Sequence, residues 1–196
     1  MRTSSRFSRF RRLGLLLAAL ALTVGLSACG HKQAHPTSAD TEGQYVDAGP
    51  LTYQVQLSRE LNPYSIEDST YLKGVVAAPL KSDEMWFGVF MWAKNETKNA
   101  HLTTDQFSII DTEGNRYYPV AINGALNPYA WQPSVLRPLA TYPTPDSLAY
   151  FGPTQGALVL FRLPTTGTSS IFANRPLTLL IRAPGQVGPS TISLDL

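Results

Sequence analysis

The chain has 196 residues, a hydrophobic share of 43%, a charged share of 15% and one cysteine. That length allows one folded domain and a tail, the composition excludes full disorder, and the lone cysteine excludes a disulfide framework or a multi-cysteine metal site. Five arginines near the N-terminus (Arg2, Arg6, Arg9, Arg11, Arg12) carry the net charge of +2; the rest holds 11 basic against 14 acidic residues, so no nucleic-acid footprint remains and no such partner is expected.

The arginine cluster precedes an uncharged apolar run over 13–26. A spanning helix needs about 20 apolar residues, so this run is too short and reads as the core of a secretory signal. Leu26-Ser27-Ala28-Cys29 follows and matches the lipobox of bacterial lipoproteins. In that motif the chain is cut between Ala28 and Cys29, and Cys29 takes acyl chains. The alternative is an ordinary signal with Cys29 left as a free thiol. Residues 1–28 are therefore read as a lipoprotein signal peptide, with the protein lipid-anchored to the cell membrane on its extracytoplasmic face. Residues 29–50 are read as lipidated Cys29 and a flexible tether, polar and without period. His31 and His35 lie there four residues apart, beside Pro36, and no metal role is assigned to them.

Residues 51–196 read as strands. Leu51, Tyr53, Val55 and Leu57 alternate with Thr52, Gln54, Gln56 and Ser58, the period of a half-buried strand. Met85 to Ala93 is apolar on both faces, as in a central strand covered on both sides. Trp86, Phe90 and Trp92 share one of those faces and read as core, with a ligand platform as the alternative. Phe107 to Asp111 and Arg116 to Val120 flank Thr112-Glu113-Gly114-Asn115 and form a hairpin. Gln155 to Leu163, Leu177 to Ala183 and Ile192 to Leu196 complete about seven strands, with one short helix accommodated within Ser65 to Leu72. No βαβ alternation occurs, so the expected fold class is all-β: an antiparallel β-sandwich. Residues 59–83 and 121–154 read as long loops, the second rich in proline.

Phe107-x-Ile109-x-Asp111-x-x-Gly114-x-x-Tyr117-x-Pro119, Gly156-x-x-x-x-Phe161-x-Leu163-Pro164 and Pro176-Leu177-x-Leu179-x-Ile181 follow the lipobox. In this arrangement the chain resembles actinobacterial lipoproteins with an immunoglobulin-like β-sandwich, and it is similar to the immunoprotective extracellular proteins of mycobacteria. The resemblance implies an immunoglobulin-like sandwich at the cell envelope and transfers no catalytic residue.

Constellations for chemistry are sparse. His101 is the only histidine within the domain, in a polar turn, and no Gly-x-Ser-x-Gly elbow surrounds a serine. Glu67, Asp68, Asp105, Asp111 and Glu113 are acid–base candidates by residue type only, and Asp111 to Asn115 lacks the ordered ligand series of a calcium loop. No catalytic residue, metal or cofactor is expected. Tyr129, Trp131 and Tyr142 stand in the long loop, where they either pack over the sandwich end or form a contact surface for an envelope protein or glycan. The functional expectation is a membrane-anchored, non-catalytic binding module. The alternatives are an envelope hydrolase using carboxylates and a passive spacer.

Overall fold

Alternation in the sequence becomes two packed sheets in the computed structural model, which describes residues 34–195. Residues 1–33, and with them the signal peptide, the cleavage site at Ala28 and Cys29, lie outside the described residues. In chain order the elements are β1 (Ser38–Ala39), β2 (Tyr45–Ala48), β3 (Leu51–Leu61), α1 (Ile66–Tyr71), β4 (Glu84–Lys94), β5 (His101–Leu102), β6 (Phe107–Ile110), β7 (Arg116–Tyr117), β8 (Val135–Leu136), β9 (Thr141–Tyr142), α2 (Leu148–Phe151), β10 (Ala157–Pro164), β11 (Leu177–Ile181) and β12 (Ser190–Leu194). The seven strands expected from periodicity are β3, β4, β6, β7, β10, β11 and β12. The other five are short, and the second hairpin strand ends at Tyr117, earlier than expected.

One sheet has the order β1-β12-β11-β6-β7, and the other β10-β4-β3-β2 with β9 paired to the end of β4. Pairing is antiparallel except between β1 and β12, which run parallel. In the first sheet Ile109, Leu179 and Ile192 form one cross-strand row. Its apolar side meets Leu51, Tyr53 and Val55 of β3, Phe87, Val89 and Met91 of β4, and Val159 and Phe161 of β10. This β-sandwich core dominates the fold.

Residues 34–50 are part of the domain, which corrects the tether boundary at 50. β2 pairs with β3, and Val46 and Ala48 are fully buried in the core. The Glu42 carboxylate accepts the Ser58 amide at 2.9 Å, and the Thr191 amide donates to Thr37 at 2.9 Å. Tyr45-Val46-Asp47-Ala48 alternates too briefly for its period to stand out within a polar segment, yet its small apolar side chains gain burial against β3.

β3 carries a bulge between Val55 and Leu57. One extra residue reverses which face each later side chain takes. Leu57, expected in the core beside Val55, is therefore 40% exposed on the outer face, while Leu61 is buried there. That outer face is covered by the segments expected to be open loops. α1 and the stretch 119–131 lay Tyr71, Val120, Ile122 and Tyr129 over Leu61, Trp86, Phe90, Leu158 and Leu160. The Trp131 amide donates to Leu158 at 2.8 Å and the Val120 amide to Leu160 at 2.7 Å, so this stretch also closes the edge of β10. β4 is thus apolar on both faces because it is covered on both.

Candidate functional site

The aromatic residues of the long loop are folded inward. Trp131 is 8% exposed in the core, its indole N–H donating to the Thr104 carbonyl at 2.9 Å and its ring edge-on to Phe107 and Tyr142. The Tyr142 hydroxyl accepts the Gln132 amide at 3.0 Å, and the half-buried Tyr129 ring meets Tyr71 at 4.8 Å. Of the two readings for these residues, the structure has them packed; a contact surface made of Tyr129, Trp131 and Tyr142 is not present. Each ring covers apolar surface that the ends of the sandwich would otherwise leave wet.

The candidate acids are committed to structure. Asp111 accepts the Glu113 and Asn115 amides, the Asn115 side chain, the Tyr117 hydroxyl and the Asn174 side chain. Burial alone would push its carboxyl up; the bonds from Asn115, Tyr117 and Asn174 outweigh burial and hold it below the usual range. It organises the turn in which Gly114 takes φ +85°. Asp68 lies 2.7 Å from Arg59 and accepts the Asn62 amide; these interactions outweigh burial and lower its pKa, while Glu67 shares the same guanidinium at 3.5 Å. Ser65 caps α1 from its N-terminus. His101 opens β5 opposite Leu136, in a strand and not a turn. Among the described residues, no three His, Cys, Asp or Glu side chains gather as metal ligands, and no helix is long and apolar enough to cross a membrane.

The outer face of the β2–β3–β4 sheet is covered along most of its length and open at one end. There the register sets Tyr45 beside Gln54 and Gln54 beside Trp92, one row across three strands. Asp47, Thr52 and Lys94 form the next row, extended by Thr141 of β9. Tyr45, Thr52, Gln54, Trp92, Ala93, Lys94 and Thr141 line a pocket of about 150 Å³. Trp92 stacks on Tyr150 of α2 with centroids 4.8 Å apart, and its indole N–H is shielded from solvent without a hydrogen-bond partner. The Gln54 amide donates to the Gly43 carbonyl and accepts from Gln56, which fixes its orientation. Lys94 Nζ pairs with Glu96 at 2.8 Å, and Glu96 also faces His35 at 3.6 Å. The His35 ring lies 5.6 Å from Tyr45. One wall of this site, Tyr45 with His35 and Asp47 behind it, stands in the segment read as a tether, and Trp92 was read as core; the available signal was the alternation of Tyr45 and Asp47 with Val46 and Ala48.

The fold is an all-β sandwich with an aromatic, amide-rimmed pocket on one outer face. No family model and no curated protein matches the chain. Solved structures of similar shape include a candidate lipoprotein, ycdA, of Bacillus subtilis (8% identity, TM-score 0.45), which covers 78% of this chain. This chain spans only 38% of ycdA. The yjhA protein of Bacillus subtilis is 11% identical with a TM-score of 0.46, covering 80% of this chain and 99% of its own. An uncharacterised β-sandwich protein of Clostridium difficile is 11% identical with a TM-score of 0.40, covering 84% and 100%. None of these three is mycobacterial.

Proposed function

We propose that the chain is a lipid-anchored, extracytoplasmic binding module that catalyses no reaction, and that its ligand meets the face of Tyr45, Gln54, Trp92 and Lys94. The observation that carries this reading is that open row. Elsewhere on the same face, aromatic side chains are buried beneath α1 and 119–131, whereas here a pinned indole, a phenol, an amide and an ammonium surround an open pocket. Binding sites commonly combine an apolar floor with a few oriented polar groups. The lipobox ending at Cys29 supports the anchor.

The carboxylate hydrolase alternative needs one acid held protonated and a second facing it across a groove. Asp111 and Asp68 are both lowered, so neither is the protonated acid, and their hydrogen bonds hold them in a turn and a helix start.

A photoreactive amino acid at Lys94, in intact cells, tests the binding face. A recurrent adduct that a probe at Thr178, on the other sheet, does not yield supports it. Equal adduct patterns from both positions remove the case for this face. Acyl labelling that disappears in Cys29→Ser tests the anchor separately.

A further inference from the structure

We propose that the pocket at the open end of the β2–β3–β4 sheet holds the sugar ring of a neutral membrane glycolipid headgroup, an inference that rests on the lipid-anchored reading above. The domain unit begins at Ala34, five residues after Cys29, and five residues span at most about 18 Å. His35 is already fixed to the pocket wall: its amide donates to Asp47 Oδ2 at 3.0 Å and its ring packs on Tyr45. An acylated Cys29 therefore keeps this wall near the bilayer surface.

A volume of about 150 Å³ suits one ring and not an extended polymer. A pyranose presents an apolar C–H face, which matches Trp92 and Tyr45, and hydroxyl edges, which match Gln54, Thr141 and Lys94. Lys94 has three N–H donors and spends one on Glu96 Oε1, leaving two for a ligand. Charge argues for a neutral ligand over a phosphate. Glu96 sits against Lys94 and Asp47 against the His35 amide, so the site offers no surplus of positive charge.

Tyr150, which pins Trp92, belongs to α2, whose Leu148 and Phe151 are 58% and 71% exposed. Apolar side chains beside an aromatic pocket suit the headgroup boundary of a bilayer, where Tyr and Trp concentrate.

The test uses the full lipidated protein reconstituted in phosphatidylcholine vesicles with a minor share of diglucosyl diacylglycerol carrying a diazirine on its sugar. Irradiation is expected to label peptides containing Tyr45 and Trp92. Tyr45→Ala and Lys94→Ala, both at exposed positions, are each expected to cut labelling about tenfold, the size of one good contact. Their thermal melting is read alongside, and Trp92→Phe, which keeps a ring against Tyr150, serves as a second variant. Labelling spread over the surface, absent, or indifferent to these changes overturns the pocket. Equal labelling by the same sugar on a water-soluble carrier overturns the membrane source. The intact mass of the Cys29 peptide is read from the same sample, and a missing acyl chain sinks the anchored reading and this inference with it, independently of labelling.

Discussion

Asp111 accepts five hydrogen bonds from Glu113, Asn115, Tyr117 and Asn174, so its carboxylate is the hub that joins the β6–β7 turn to the segment before β11. Truncation would strand those donors. Asp111→Ala is expected to cost about 3 kcal/mol, since bonds to a charged acceptor contribute more than neutral ones and their loss leaves unpaired donors. The urea midpoint checks this, and an unchanged midpoint would mean that water replaces the carboxylate. The same network acts on Tyr117. Burial, the bond to Asp111 and its negative charge push that phenol up to about 12, and burial pushes Tyr53 up to about 12 against the opposing Thr104 amide bond. A group with a raised folded pKa contributes stability fully below its unfolded pKa and loses it as pH rises through the folded value. Stability is thus expected to fall between pH 10.0, the ordinary tyrosine value, and about 12. Absorbance titration at the phenolate band should show Tyr53 and Tyr117 ionising near 12, after the exposed tyrosines.

At the level of elements, the bulge in β3 decides which layer each later side chain joins. Gln56 is the residue without a partner on β4, and the alternation is sound on either side of it. Deleting Gln56 leaves Val55 inward and Leu57 outward, so a folded domain with a cooperative melt is expected. Deleting Glu60 instead turns Leu61 away from Trp86 and Phe90, and a loss of about 2–5 kcal/mol is expected, the range for removing a large buried side chain. Equal melting temperatures for the two deletions would show that β3 can slide its bulge. This is also where sequence reading stops. Strand β3 was legible from its alternation, and β4, β10 and β11 from largely apolar runs of five or more residues. The bulge was not, since one unpaired residue leaves no compositional mark, and β1 and β2 were too short and too polar to stand out. Trp131 was ambiguous for a different reason. Three of the groups that bury it, Tyr53, Phe107 and Thr104, come from distant parts of the chain, and no local pattern announces them.

At the scale of the whole molecule, the position of the domain boundary changes what the anchor does. On the lipid-anchored reading proposed above, a tether ending at residue 50 would let the domain roam well away from the membrane, while a domain unit that begins at Ala34 stands only five residues after Cys29. Proximity then contributes to binding without any added contact, because a short link raises the local concentration of headgroups at the pocket. Inserting twenty Gly/Ser residues between Gln33 and Ala34 separates the two effects. The insert lies outside the unit Ala34–Leu196, so the melting temperature of that unit should not move. Its r.m.s. span is about 25 Å, and lengthening the link fivefold should dilute the local headgroup concentration about tenfold by the three-halves power of length. Glycolipid labelling at Tyr45 and Trp92 should therefore fall by about that factor, while the affinity for the soluble sugar stays the same. Labelling that survives the insert undiminished would mean that the pocket finds its ligand without help from the anchor, and the short link would then be a consequence of how β1 and β2 fold rather than a device for binding.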